Sequence, residues 1–468
     1  MPAENASLSY ADVNRDVVRS LVETGPKYYI TLACTAGLTL VCFFFPWFYQ
    51  LNLGIAAAGM NHPQVWGTYE ANFIFWIGLS HSGTLLSCVL HITRSSWRKA
   101  MYRSAEAMTL FSLMVAVTMV MVHLGRPWFI HWAFPYPNQM ELWPNFRSPL
   151  LFDVTAIATY LTGSSVFIYM GSIPDFAAVR DRTTGWRHHL YTLLSLGWRG
   201  TDTEWHRLGW AYTLLAVLII PLAVSVHSIV SWDWASSIVP VLHQTIFAPY
   251  FVVGAIYSGT AGIVTVMFLL RKYMNFERYI TQLHFDNLGR LLLALSLIWT
   301  YINVLELFTG WYSGASTEIE ALKYKLFGYY APLYWEMILF CAVAPLLLIS
   351  KRFRTSFVPM LILSIAINIG MYTERFLIVG TSLSRKYLPD AWGLYIPSLV
   401  ELSILVGSVA LFSTLFLLFV KIFPSVSIYE VKETLQGSEH LPESDAAEPA
   451  ISEPDVPERG GAQWQPAQ

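Results

Sequence analysis

Two short stretches of this chain set a carboxylate about one turn inside an apolar helix. They are Pro-Leu-Leu-Phe-Asp at 149–153, ending in Asp153, and Pro-Leu-Tyr-Trp-Glu at 332–336, ending in Glu336. A carboxylate at membrane depth costs about 3 kcal/mol on insertion scales, so such residues point to ion or proton handling. Asp153 has a companion: His123 closes the preceding apolar run in the string Val-His-Leu-Gly-Arg-Pro-Trp. Adjacent antiparallel helices would bring the two together. A neutral imidazole and a carboxylate facing one cavity can each hydrogen-bond a ring hydroxyl or carbonyl and take its proton, which is the chemistry a quinol needs. A purely structural His–Asp contact at two helix ends is the other reading of the same pair.

Further ionisable residues interrupt apolar sequence. His81 sits mid-run between Ser80 and Ser82, and Glu306, Glu336, Glu374, Arg375 and Glu401 lie within the later runs, with His227, Asp233 and His243 toward the outer ends of theirs. As a set they suit a proton path; taken singly, each fits an ion pair that locks helices as well as a relay. Haem would need axial histidines paired at one depth, and His81 (central), His91 (inner end), His123 and His227 (outer end) are not so placed. Cys34, Cys42, Cys88 and Cys341 form no Cys-x-x-Cys or haem-attachment motif, so neither an iron–sulfur cluster nor another metal is expected on this chain.

The elements that must carry these groups follow from composition. With 55% hydrophobic and 13% charged residues over 468 positions and a mean hydropathy of +0.46, the chain is too apolar for a soluble globule and reads as an all-α polytopic membrane protein, with no feature of a nucleic-acid binder. Apolar runs of membrane-crossing length predict ten spans, near 27–49, 72–93, 105–124, 150–171, 210–232, 246–271, 289–311, 330–350, 357–380 and 396–423. Most of the 29 Lys and Arg residues fall in the N-terminal segment, the even-numbered loops and the tail, including Arg94, Arg98, Lys99 and Arg103 in one loop. Both termini are therefore expected in the cytoplasm. That puts His123, Asp153, Glu336, Glu374 and Glu401 toward the outer surface.

Organisation follows the same pattern. Residues 1–26 form a polar segment in which Leu8, Val13, Val17, Val18, Leu21 and Val22 recur at near-helical spacing, as in a helix on the inner membrane face or a partly ordered tail. Residues 27–423 form the membrane domain, and 424–468 an acidic tail expected to be mostly disordered. Gly78, Ser82, Gly83 and Thr84 in the second run match Gly254, Ser258, Gly259 and Thr260 in the sixth. With the Asp153/Glu336 echo, this predicts two parallel four-helix bundles, 72–232 and 246–380, unless the small residues are simply packing faces.

Several strings are long enough to carry a resemblance: Asn-Phe-Ile-Phe-Trp-Ile-Gly-Leu-Ser-His-Ser-Gly-Thr (72–84), Arg-Ser-Ala-Glu-Ala-Met-Thr (103–109), His-Leu-Gly-Arg-Pro-Trp (123–128), Phe-Pro-Tyr-Pro-Asn (134–138) and Trp-Pro-Asn-Phe-Arg-Ser-Pro-Leu (143–150). Over roughly residues 10–430 the chain resembles the NrfD/polysulfide-reductase membrane subunits, and within them the ActC type of bacterial alternative complex III. The resemblance implies a ten-helix subunit of a respiratory or photosynthetic quinol oxidoreductase in the bacterial cytoplasmic membrane, with menaquinol or ubiquinol as substrate and no haem or iron–sulfur cluster of its own. It implies electron transfer to a periplasmic iron–sulfur, molybdopterin-like subunit and on to c-type haem subunits, beside a homologous ActF-like membrane subunit. His123 and Asp153 match the quinol-site residues, with Arg126 a neighbour. A quinone-binding anchor of another NrfD-type reductase and a proton-conducting subunit without redox role are the alternatives.

Overall fold

The computed structural model describes residues 9–60, 64–133 and 149–439. The chain is an all-helical, multi-pass membrane protein; among the described residues, ten helices are long and apolar enough to cross a bilayer. Numbered as spans 1 to 10, they are Pro26–Leu53, Thr68–Ile92, Tyr102–His123, Phe152–Arg180, Asp202–Ala235, Phe247–Tyr273, Gln282–Tyr312, Ala331–Ile349, Phe357–Ser384 and Leu399–Ile422. Each predicted run lies within or closely overlaps one span, because bilayer thickness fixes a minimum apolar length and leaves no other backbone solution.

Span 2 is the central helix: 89% of its apolar window is buried. It packs on spans 3, 5, 6 and 9, whereas span 1 is held mainly by span 10. Small residues permit this crowding. A side chain at Gly259 would collide with Cβ of Ser82, and one at Gly83 with the Ala105 carbonyl oxygen. Ser82 Oγ also donates to the Ile256 carbonyl at 3.2 Å. The Gly/Ser motifs that echo each other in sequence thus meet face to face, as the small residues of a membrane helix interface do.

Helix length corrects one expectation, and tail packing adds order at the start of the tail. Span 5 has 34 residues, about 50 Å at 1.5 Å per residue, so it overruns the hydrocarbon core of about 30 Å. His227 consequently lies deeper than its distance from the end of the apolar run suggested: its ring is 4.6 Å from that of His81. The tail is ordered at its start. A 12-residue helix, Ile428–Glu439, follows span 10, while 440–468 lies outside the described residues. At the other end of the chain, helix Tyr10–Val22 buries Val13, Val17 and Leu21 and packs against span 10 and the C-terminal helix.

Asp175, fully buried in span 4, anchors this C-terminal segment. It accepts hydrogen bonds from the Ile428 and Tyr429 amides (2.9 and 3.3 Å), from Ser427 Oγ (3.4 Å) and from Arg103 Nη2 (3.1 Å). A second tie is the ion pair Arg98–Glu430 at 2.9 Å, also buried. Removing one member of a buried pair leaves the other uncompensated, at about 3–5 kcal/mol. Asp175→Ala should therefore free the C-terminal helix and make Lys432 a trypsin site in purified protein; a digestion pattern like that of the wild type would show that the segment is held by other contacts.

Candidate functional site

Four ionisable side chains gather at one end of spans 2 to 5. Glu70 is the third residue of span 2, His123 the last of span 3, Asp153 lies near the start of span 4, and Asp233 stands two residues before the end of span 5. Alternating helix direction brings these ends together on the side away from Arg98 and Arg103. His123 Nε2 is 3.2 Å from Glu70 Oε1. The Asp153 and Asp233 carboxyl groups lie within hydrogen-bonding reach of each other, with Glu70 close to both. The predicted His123–Asp153 partnership is thus replaced by two pairs, each completed by a residue on another helix.

The pairing dictates what each group can offer. An ionised carboxylate only accepts, so Glu70 requires the hydrogen on Nε2 of His123 and leaves Nδ1 as the acceptor of the neutral ring. That Nδ1 is covered and has no partner among the described residues; the same holds for Oδ1 of Asp153 and of Asp233. Two carboxyl groups bond to each other only with a proton between them. The end of the bundle therefore presents an unpartnered imidazole nitrogen and a closely opposed carboxyl pair, groups suited to a ligand with hydroxyl or carbonyl groups. Gln50 supports the site from span 1: its Nε2 donates to the Val122 carbonyl at 3.0 Å, and its Oε1 accepts from the Tyr69 hydroxyl at 2.5 Å. Gly125, at φ +66°, turns the chain directly after His123. Arg126 is exposed and makes no ion pair among the described residues. The strings at 134–148 fall outside those residues.

From this end a chain of buried polar groups continues through the first bundle. His81 stacks on Tyr160 at 4.6 Å and touches the ring of His227 at the same distance. Among the described residues, neither nitrogen of His227, nor Nε2 of His81, has a partner. Below them, Ser80 O accepts from Thr109 Oγ1 (2.6 Å), which in turn accepts from the Thr84 amide (2.8 Å). Glu106 follows, bonded to Ser87 (2.7 Å), Tyr212 (3.0 Å) and Arg103 Nη1 (3.5 Å), and Arg103 reaches Asp175. Arg103 is not the loop residue expected from sequence: it is 0% exposed, inside span 3.

The remaining candidates divide. Glu306 in span 7 meets Lys325 Nζ with both oxygens at 3.0 Å, beside the Tyr334–Asn303–Tyr250 hydrogen bonds (3.2 and 3.0 Å). Glu374 accepts from Trp299 at 2.8 Å and pairs with Arg375 at 2.6 Å; Arg375 lies over the Phe251 ring. Glu401 completes a capping box with Ser398 and accepts from the Tyr395 hydroxyl, which in turn accepts from the Thr68 amide and hydroxyl of span 2. Glu336 is half-buried against Thr373, and His243 pairs with Glu318 at 3.2 Å near the surface. His81, His227 and Asp233 join the first-bundle chain. Glu70, Glu106, Arg103 and Asp175 are additions that sequence reasoning missed, although Arg103 and Glu106 stand in one of the strings noted above.

Comparison with known proteins gives the chain's relationships. The sequence model of the family described as "Polysulphide reductase, NrfD" matches residues 56–385. The chain is 27% identical over 255 residues to a putative dimethyl sulfoxide reductase membrane subunit of Halobacterium salinarum, covering 53% of this chain and 52% of that relative. It is 24% identical over 405 residues to a selenate reductase subunit of Mesobacillus selenatarsenatis, covering 80% and 89% respectively. The match thus spans about half the length of the first relative and most of the second.

Glu306 and Lys325 provide a test of which groups only hold helices. Lys325→Ala should lower stability in detergent by about 3–5 kcal/mol, and the double change Glu306→Leu/Lys325→Met should restore most of it. Additive losses in the double variant would remove the ion pair as the lock.

Proposed function

Because the chain belongs to the polysulphide reductase NrfD family, we propose that it is the quinol-oxidising membrane subunit of a respiratory or photosynthetic complex of the alternative complex III type. The observation that carries this reading is the paired arrangement Glu70–His123 and Asp153–Asp233 with the unpartnered Nδ1 of His123 at one end of the first bundle. Quinol oxidation releases two protons and two electrons. His123 Nδ1 takes one hydroxyl proton, and the imidazolium so formed is stabilised by the Glu70 carboxylate. The Asp153–Asp233 pair, already sharing a proton, relays the second. The electrons leave to an iron–sulfur centre of a periplasmic partner and on to c-type haem subunits, with a homologous ActF-like membrane subunit alongside.

The excess of Lys and Arg at the opposite end supports a quinol site on the outer side of the cytoplasmic membrane, with both termini in the cytoplasm. Proton translocation, on this reading, uses the first-bundle chain His227, His81, Glu106 and Asp175, whereas Glu306, Glu374, Arg375 and Glu401 hold helices. The named relatives favour a second reading, a quinol-binding membrane subunit of a terminal reductase. The proteins that co-purify with the tagged chain separate the two: c-type haem subunits support the first, a reductase catalytic subunit without c-type haem the second.

Asp153→Asn should cut quinol oxidation by the assembled complex at least about 100-fold, the usual worth of a positioned proton acceptor. Glu70→Gln should cost about 10-fold by loosening His123, and Arg126→Ala little. Retained turnover in Asp153→Asn would remove the site assignment. In proteoliposomes, Glu106→Gln should keep quinol oxidation and lose proton uptake from the arginine-rich side; unchanged uptake would exclude the first-bundle route.

A further inference from the structure

A groove of about 1840 Å³ opens at the Lys/Arg-rich end of the membrane domain, remote from the site above. Its walls are span 1 from Lys27 to Thr35 and span 6 from Val266 to Tyr273; span 10, from Phe412 to Lys421, is its floor. The polar side of helix Tyr10–Val22 and the loop after span 6 form its mouth. The deep part is apolar, with Val266, Leu269, Phe412 and Phe416 facing in from two helices. Span 1 has only 17% of its apolar window buried, so none of the described residues fills the space beside it.

The mouth is charged, and unequally. Among the described residues, Arg15, Arg19, Lys27, Arg271, Arg278 and Lys421 line it against Asp16, Glu23 and Glu277, six cations to three carboxylates. Arg15 pairs with Asp12 and Asp16, and Arg19 with Glu23. Lys421 is held by the Ser20 and Glu23 carbonyls, and Arg271 by those of Glu277 and Ile280. Lys27 and Arg278 are exposed and make no ion pair among the described residues. Span 1 also starts at Gly25 with no side-chain cap, so its first-turn N–H groups have no side-chain acceptor among those residues.

An apolar slot at membrane depth under a mouth whose cations outnumber its carboxylates by three matches one kind of molecule. We propose that this groove is a binding site for an anionic diacyl phospholipid, its acyl chains between spans 1 and 6 on the floor of span 10, and its phosphate between Lys27 and Arg278. The charge excess selects an anionic headgroup over a zwitterionic one, and the long basic side chains reach the headgroup layer while their stems cover the chains. The lipid completes the packing of span 1, which the described residues leave open.

The test uses the full-length chain in its purified complex, reconstituted in nanodiscs with photoactivatable phosphatidylglycerol or phosphatidylcholine carrying the same acyl probe. Phosphatidylglycerol should label peptides spanning residues 26–35 and 266–273 at least five-fold more than phosphatidylcholine. Unlabelled phosphatidylglycerol should compete and inorganic phosphate should not. Lys27→Glu/Arg278→Glu should reduce labelling to the phosphatidylcholine level. Equal labelling by both lipids in the wild type overturns the proposal without any variant, as does an absence of labelling because a partner's helix fills the groove. Unchanged labelling in the double variant, or in Arg278→Gln should the double variant not assemble, also overturns it.

Discussion

Every ionisable group that this chain carries into the bilayer has to find its compensation inside the protein, and that constraint sets how the spans sit against one another. Arg103 shows it most plainly. A fully buried guanidinium is tolerable only where carboxylates and carbonyls receive its N–H groups, and here Glu106, Asp175, the Ile168 and Gly171 carbonyls and the Tyr102 hydroxyl receive those of Nη1 and Nη2. Those partners lie on spans 3 and 4. Asp175 in turn receives the chain after span 10, so one cation fixes the height of two spans and the docking of the C-terminal helix. Packing of glycine and serine faces brings the helices close; the buried charges determine their register.

The same constraint separates the two ends of the first bundle. At the arginine-rich end Arg103 faces two carboxylates, Glu106 and Asp175, one more than its charge balances, and Arg98 pairs with Glu430. At the other end the groups are matched by shared protons, an imidazole against a carboxylate and a carboxyl against a carboxyl. A fixed ion pair resists change, whereas a proton-sharing pair changes charge when a substrate donates or removes one. The second bundle holds one-to-one pairs, with Glu306 on Lys325 and Glu374 on Arg375. Asp153 and Glu336 therefore differ more than their matching sequence positions suggest: one faces a second carboxyl group, the other a threonine.

What was legible in the sequence was what depends on one helix at a time. Ten spans followed from length and hydropathy, and His123 and Asp153 stood out as polar groups near helix ends. Their partners were not legible, because Glu70 and Asp233 sit where any amphipathic helix end carries charge, and only the packing of four helices turns them toward the site. Arg103 and Glu106 were hidden differently. Counted as part of a basic loop, Arg103 looked solvated, although an Arg-Ser-Ala-Glu spacing puts both charges on one helix face one turn apart. A charged pair on the face of an otherwise apolar helix is itself a sign of burial against another polar surface, a reading that the string supported and the loop count obscured.

Span 5 carries the last step. Its 34 residues and internal Pro221 let it present polar groups both to the proton-sharing end and to the middle of the membrane: Asp233 near its end, His227 against His81. Six residues separate Asp233 from His227, nearly two turns of one rigid helix. A group that changes protonation at Asp233 is thereby held at a set distance from an imidazole at mid-membrane that has no partner among the described residues. On the proposed function, chemistry at the end of the bundle and proton movement through it would be coupled by a single element whose geometry does not need to change. The excess length of the helix, which made His227 look peripheral in sequence, is what provides that connection.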